Sequence, residues 1–200
     1  MVEPFYMLDR LNKYRIILGS VSPRRKELLS GLDIPFEVKV LPDIEENYPN
    51  SLQREEIPLF LAKLKADAYK DLLEKQDLLI SADTVVCLDG QVYGKPQNED
   101  EAKEMLRNLS GKIHEVITGV CISTQKQQQL FHAVSKVKFA ELEESEIDYY
   151  VNKYKPYDKA GAYGVQEWIG YIGVEHLEGS FYNVMGLPVR MLYKYLKEWK

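Results

Sequence analysis

The sequence is poor in the residues that build disulfide scaffolds and metal clusters: it has two cysteines and three histidines in 200 residues. Cys87 and Cys121 each lie inside an apolar, strand-like run, the setting of buried reduced thiols rather than of a disulfide, and this points to a cytoplasmic protein. His114, His132 and His176 are far apart and show no ligand spacing, which argues against a zinc site or a Ser–His triad. No stretch approaches the roughly 20 apolar residues that a membrane span requires. The opening Met1 to Met7 lacks both the basic and the apolar regions of a secretory signal. Basic residues are not in excess: Lys plus Arg number 26 against 31 Asp plus Glu, a net charge of −5. A nucleic-acid coat would show the opposite balance, although a local basic pocket for a small anion stays open. There is no internal repeat, and Gln127 to Gln129 read as a polar hairpin turn. What is present, 45% hydrophobic and 28% charged residues, is the composition of a soluble globular chain able to bury a core. Its length suits one domain or two tightly joined lobes.

The apolar run Arg15 to Leu18 ends in Gly19-Ser20 and reads as a buried strand. Ser22 then stands as N-cap, with Pro23 at the first position, of a helix that Gly31 closes. Phe36 to Leu41 alternates like a strand, and apolar residues at spacings of three and four predict a helix over 54–75. Leu78 to Leu88 is apolar and β-branched, a central strand followed by the Asp89-Gly90 hairpin turn. Asn98 starts a helix that Gly111 stops, Val116 to Ser123 and Leu130 to Phe139 are long strands, and Glu144 to Tyr154 is a helix. A strand near Tyr171 to Val174 and a last helix after Pro188 complete the reading. The expected class is α/β: a mixed twisted sheet with flanking helices, in one two-lobed unit.

Two short stretches carry most of the chemistry. In Gly19-Ser20-x-Ser22-Pro23-Arg24-Arg25 a strand leads into a helix N-terminus, whose free N–H groups and positive dipole end favour an anion. Small hydroxyl residues let a phosphate come close, and two arginines add fork-shaped donors. A capped helix with solvated arginines is the plain alternative. In Ser81-Ala82-Asp83-Thr84-Val85, an aspartate within an apolar strand is costly unless it is paired, metal-bound or at a cleft. It suits a metal ligand or a water-activating base beside a polyphosphate, or else a bulge satisfied by backbone groups. Weaker signals are Gly94-Lys95-Pro96, the acidic pair Glu45-Glu46, and Asp158 to Gln166, where small residues admit a flat base that the Gln166 amide would read. A solvated loop and a tight structural turn are the ordinary readings of the last two.

Together these stretches resemble the Maf-like nucleoside triphosphate pyrophosphatases. The resemblance runs, in order, through Ser20 to Leu29, Glu45-Glu46, Leu61 to Ala66, Ala82 to Val85, Gly94 to Pro96, Leu109 to Gly111, Asp158 to Gln166 and Gly186 to Pro188. It covers residues 15–200 as a single domain, with residues 1–14 an N-terminal extension. It implies a two-lobed, Maf/ITPase-like fold around a nucleotide-binding cleft, a divalent metal (Mg²⁺ or Mn²⁺), and cleavage of a nucleoside triphosphate to the monophosphate and pyrophosphate. The family role of general base falls on Asp83, which would also hold the metal with Glu46. Ser20, Arg24, Arg25, Lys65 and Lys95 would bind the triphosphate, and Arg24, Thr84 and Gln166 match the positions that set base preference. Arg-Arg after Pro23, Asp83-Thr84, and Ala162-Tyr163-Gly164-x-Gln166 resemble the subgroup acting on dTTP and UTP rather than the one acting on 7-methyl-GTP. One departure, Glu167-Trp168-Ile169 in place of a glycine-rich continuation, is placed to reshape the base pocket. The rival expectations are a non-catalytic nucleotide-binding regulator of cell division and a 7-methyl-GTP-type enzyme. A homodimer is left open.

Overall fold

A computed structural model of the chain describes residues 8–42 and 44–200. Residues 1–7, half of the expected extension, lie outside the described residues; Leu8 and Leu11, in its second half, are buried against the core. Arg15–Leu18 (β1) leads into Pro23–Ser30 (α1), whose N-cap Ser22 accepts a hydrogen bond from the Arg25 N–H at 3.4 Å. The expected strand over 36–41 contracts to Glu37–Val38 (β2), both exposed. The expected helix over 54–75 runs only over Glu56–Ala68 (α2). It ends where Tyr69 turns its hydroxyl to the Lys39 carbonyl, 2.7 Å away, and a 3-10 turn at Lys70–Leu72 follows.

Asp77–Leu88 (β3) is the central strand, and Gln91–Tyr93 (β4) returns along it through Asp89 and Gly90, both at positive φ, as a tight Asp-Gly hairpin requires. Glu99–Leu109 (α3) starts at Asn98, whose side chain accepts from the Glu101 N–H. Ile113–Ser123 (β5) and Gln128–Phe139 (β6) form a long antiparallel pair, followed by Glu144–Tyr154 (α4). The strand expected near Tyr171 to Val174 is instead a helix, Trp168–Gly173 (α5), and the strand begins only at Val174 (Val174–Glu178, β7). Ile169 and Gly173, four apart, are the buried positions, a helical spacing, and Tyr171 points to solvent at 82% exposure. Phe181–Met185 (α6) and Val189–Glu198 (α7) close the chain.

Among the described residues the seven strands form one sheet in the order β2-β1-β3-β5-β6-β7, with β4 pairing β3. β1 is parallel to β2 and β3, and the other pairings are antiparallel, so the sheet is mixed as expected. At the start of β1, Arg15 grips the fully buried Asp77 in a fork of 2.8 and 3.0 Å, which pins the register of the parallel pair. The main core, including Leu18, Leu106, Phe139 and Leu192, fills one face. On the other face α2 lies unusually close to the sheet, because a Cβ on Gly119 of β5 would sit 2.4 Å from the Pro58 backbone. That approach places the side chains of α2 directly over the middle of β3.

Candidate active site

The site opens where the sheet is incomplete. β1 pairs with β3 only over 77–80 and β4 only over 86–88, so residues 81–85 of β3 have no strand on that edge. A cleft of about 370 Å³ occupies the gap. Asp83 and Thr84 are consecutive in the strand and point to opposite faces, yet both line this cleft because it wraps around the uncovered edge. The arrangement lies beyond the carboxyl end of β1, where ligands bind in open α/β sheets.

On the α2 face, Asp83 is 6% exposed and lies 2.7 Å from the Lys65 ammonium. Lys65, itself buried, also reaches Glu46 at 3.0 Å and so lies between two carboxylates. Burial alone would push Glu46 up, but Lys65, helped by Lys95 and Arg25, outweighs it and holds the carboxyl below its ordinary value. Glu45, by contrast, is exposed and accepts from Asn47. Asp83 is therefore a paired acid at a cleft, and its strand runs through it without a bulge. Among the described residues no group of three or more His, Cys, Asp or Glu converges as a self-sufficient metal cage. Two carboxylates in a cation-lined cleft nonetheless fit Mg²⁺ or Mn²⁺, which commonly take one or two carboxylates and complete their shell with substrate phosphates and water.

On the opposite face Thr84 is held by a ladder of hydroxyls. Its Oγ1 lies 2.9 Å from Thr118 Oγ1, and Thr118 donates in turn to the Asn183 carbonyl at 3.1 Å. Arg25 donates through Nη2 to Thr84 Oγ1 at 3.2 Å and through Nε to the Gly186 carbonyl at 2.9 Å, which ties α1 to the turn after α6. Ser20 lines the cleft, and its Oγ accepts from the Ser22 N–H at 3.2 Å. Arg24 forks onto Asp158, with Nη1 2.7 Å from Oδ2 and Nη2 3.3 Å from the carbonyl. Burial would raise the Asp158 carboxyl, but Lys159 and Arg24 overcome it and hold the group at about 2. Lys95 is exposed on the rim.

The cleft thus gathers Ser20, Arg24, Arg25, Glu46, Lys65, Asp83, Thr84, Lys95 and Gln166, all the expected site residues, from segments spread across the chain. Gln166 Oε1 is buried and has no hydrogen-bond partner among the described residues. The sequence reading missed Lys159, which lines the same cleft at 7% exposure between Asp158, at 2.8 Å, and Glu167, at 3.1 Å. Its signal was an adjacent acid–base pair at the mouth of a glycine-rich turn. It also missed Thr118, a lone hydroxyl residue in the apolar run of β5. Glu167-Trp168-Ile169 does not enter the cleft: Ile169 is fully buried, Trp168 packs edge-on against Tyr149, and Glu167 turns inward to Lys159 and Tyr150. The cleft is rich in cations although the chain is acidic, as a binder of a polyanion requires.

Comparison with known proteins identifies the family. The family model described as Maf-like protein matches residues 15–199. A dTTP/UTP pyrophosphatase from Porphyromonas gingivalis is 60% identical, over 96% of this chain and 98% of its own length. One from Phocaeicola vulgatus is 61% identical, over 96% and 100%. One from Flavobacterium johnsoniae is 47% identical, over 94% and 96%. Among solved structures, a HAM1 protein from Coxiella burnetii superposes with a TM-score of 0.50 at 16% identity, over 92% of this chain and 99% of that one, a likeness of fold alone. With near-complete coverage by the family model and by relatives of this identity, the chain belongs to the Maf-like protein family.

Proposed function

We propose that this chain hydrolyses dTTP and UTP between the α- and β-phosphates, yielding the monophosphate and pyrophosphate. The observation that carries the reading is Asp83, a carboxylate in the floor of a cation-rich cleft whose ion-pair partner, Lys65, belongs to the set suited to phosphate. Relatives that share about three residues in five with it bear the name dTTP/UTP pyrophosphatase. Residues 15–200 act in this reading as one catalytic unit.

The triphosphate lies against the N-terminus of α1, with Ser20, Arg24, Arg25, Lys65 and Lys95 around it. Asp83 accepts a proton from a water that attacks the α-phosphorus. The new P–O bond forms as the bond to the bridging oxygen breaks, and pyrophosphate leaves with that electron pair. Cations around the cleft neutralise charge that grows on the leaving group, which is the larger part of catalysis for phosphoryl chemistry. Asp83 and Glu46 are the residues that would hold Mg²⁺ or Mn²⁺, and the ion supplies charge neutralisation and polarisation of a phosphoryl oxygen.

For the base, the Gln166 amide, whose Oε1 is left without a hydrogen-bond partner among the described residues, offers both an acceptor and a donor to the N3–H and O4 edge of uracil or thymine. Cytosine presents that pattern reversed. The buried thiols fit a reducing, cytoplasmic setting, since burial raises Cys87 to about 11 and Cys121 to about 12 and keeps both protonated. The test is a panel of dTTP, UTP, CTP, ATP and GTP with Mg²⁺ or Mn²⁺, detecting pyrophosphate. The expected ranking is dTTP and UTP high, CTP lower, purines poor, with the ranking eroded in Gln166→Ala. Orthophosphate released first, or a wild-type preference for GTP or 7-methyl-GTP, overturns the reading.

A further inference from the structure

A charge relay, exposed at Asp158 and buried at Lys159 and Tyr150, runs behind the base end of the cleft, and the proposed chemistry gives no role to Lys159, Glu167 or Tyr150. Asp158, already bound to Arg24, holds the Lys159 ammonium at 2.8 Å, and Lys159 holds Glu167 Oε1 at 3.1 Å. The other oxygen of Glu167 accepts a hydrogen bond from the hydroxyl of Tyr150, a fully buried residue of α4 stacked on Tyr154. That same hydroxyl accepts the Gly164 N–H at 3.0 Å. The relay therefore ends on the backbone two residues before Gln166.

Glu167 stands at the N-cap position of α5 but makes no capping bond to that helix. Both of its oxygens are committed to Lys159 and Tyr150 instead, so a simple cap does not explain it. Its carboxylate also packs flat against Gly164: a Cβ there would lie 2.9 Å from Glu167 Cδ and Oε2 and 3.1 Å from Gln166 Nε2. One carboxylate thus backs both the turn and the side chain that it presents. A donor chain ending on an ionised acceptor is stronger at each link than isolated bonds, so the backbone at Gly164 is held stiffly.

We propose that Glu167 is a positioning residue for base recognition: by bridging Lys159 and Tyr150 it fixes the 164–166 turn so that the Gln166 amide faces the cleft. The inference rests on the proposed hydrolysis of dTTP and UTP. Glu167 touches no substrate in this account. Its effect is on the direction of the Gln166 amide, and the phosphate end keeps its own supports, since Arg24 and Lys159 retain Asp158 without it.

The experiment measures kcat and KM for dTTP, UTP and CTP, and inhibition by pyrophosphate, in the wild type and in Glu167→Ala, Glu167→Gln and Tyr150→Phe. In Glu167→Ala the kcat/KM preference for dTTP over CTP is expected to fall about tenfold or more, the scale of a misplaced positioning group. KM for dTTP rises, while the pyrophosphate inhibition constant stays unchanged. Tyr150→Phe, which keeps the buried ring and removes the bridging hydroxyl, shifts the ranking the same way and decides the matter if Glu167→Ala does not fold. Glu167→Gln keeps the reach and an acceptor for Tyr150, and restores most of the ranking. A wild-type ranking in Glu167→Ala and Tyr150→Phe overturns the inference, as does a pyrophosphate constant that shifts with KM, or a uniform loss of kcat on all three nucleotides. A wild type that releases no pyrophosphate from dTTP or UTP overturns the proposed function, and the inference with it, in a measurement that involves no variant.

Discussion

Lys65 and Asp83 form a closed ion pair in the floor of the cleft, Nζ 2.7 Å from Oδ1, with neither side chain more than 10% exposed. A carboxylate held this way keeps one oxygen for its partner and the other for a water. Asp83→Asn removes the proton acceptor and one ligand for a cation while preserving shape. Turnover of dTTP and UTP is expected to fall about 10²–10⁴-fold, the usual worth of a positioned acid–base group. Steady-state kinetics on a variant whose circular dichroism matches the wild type checks this, and near-normal turnover removes Asp83 from both roles.

Lys65→Met tests the other half of the pair. It leaves Asp83 facing Glu46 with no cation between them, and breaking a buried pair in this way costs about 3 kcal/mol or more. The melting temperature is expected to drop in metal-free buffer and to recover with added Mg²⁺ by more than the wild type gains. Equal Mg²⁺ shifts in the two proteins would remove Glu46 and Asp83 as the holders of the ion.

The long strands, the helix caps and the placing of Asp83 at a cleft were legible because each is a local signal: an apolar β-branched run, Ser22 before Pro23, an acid where apolar residues are expected. That Asp83 and Thr84 serve one cleft from opposite faces was not legible, since it depends on where β1 and β4 stop pairing with β3. The partners of Arg24 and Arg25 were likewise hidden, because Asp158 and Gly186 lie more than a hundred residues away in sequence. The short α5 was misread as a strand because six residues give too few turns for helical periodicity to show. Glu167 was noticed as part of a departure from pattern expected to reshape the base pocket; in the structure it lies outside the cleft, hydrogen-bonded to a tyrosine that reads in sequence as ordinary helix core.

Arg24→Ala opens the fork that holds Asp158 and removes a cation from the first turn of α1. KM for dTTP and UTP is expected to rise together, with kcat less affected, because both nucleotides share the same phosphates. In the wild type KM should rise with added salt, since guanidinium–phosphate attraction at a partly exposed site is screened. A KM that is the same in Arg24→Ala and wild type would leave Arg24 as a brace for Asp158 only.

His114 offers a test of stability that is independent of catalysis. The residue is 1% exposed, Nε2 lies 2.7 Å from the Tyr163 hydroxyl, Nδ1 has no partner among the described residues, and Phe139 packs edge-on beside it. Burial holds its pKa at about 4, below the ordinary 6.5, so the folded protein keeps the ring neutral. Between those two values the unfolded chain binds a proton that the folded chain refuses, and stability must fall as pH drops through that window. The contribution is complete above pH 6.5 and its loss grows to about 3 kcal/mol as pH approaches 4. Asp158, Asp77 and Glu46 are all held below their ordinary values, so they remain ionised in the folded state through most of the window and add little slope there. The melting temperature of the wild type is therefore expected to decline from pH 7 to pH 5, and that of His114→Phe to decline less, from a lower starting value because Tyr163 loses its partner. Thermal melts at half-unit pH steps check it, and parallel slopes in the two proteins would show that His114 does not carry the acid sensitivity.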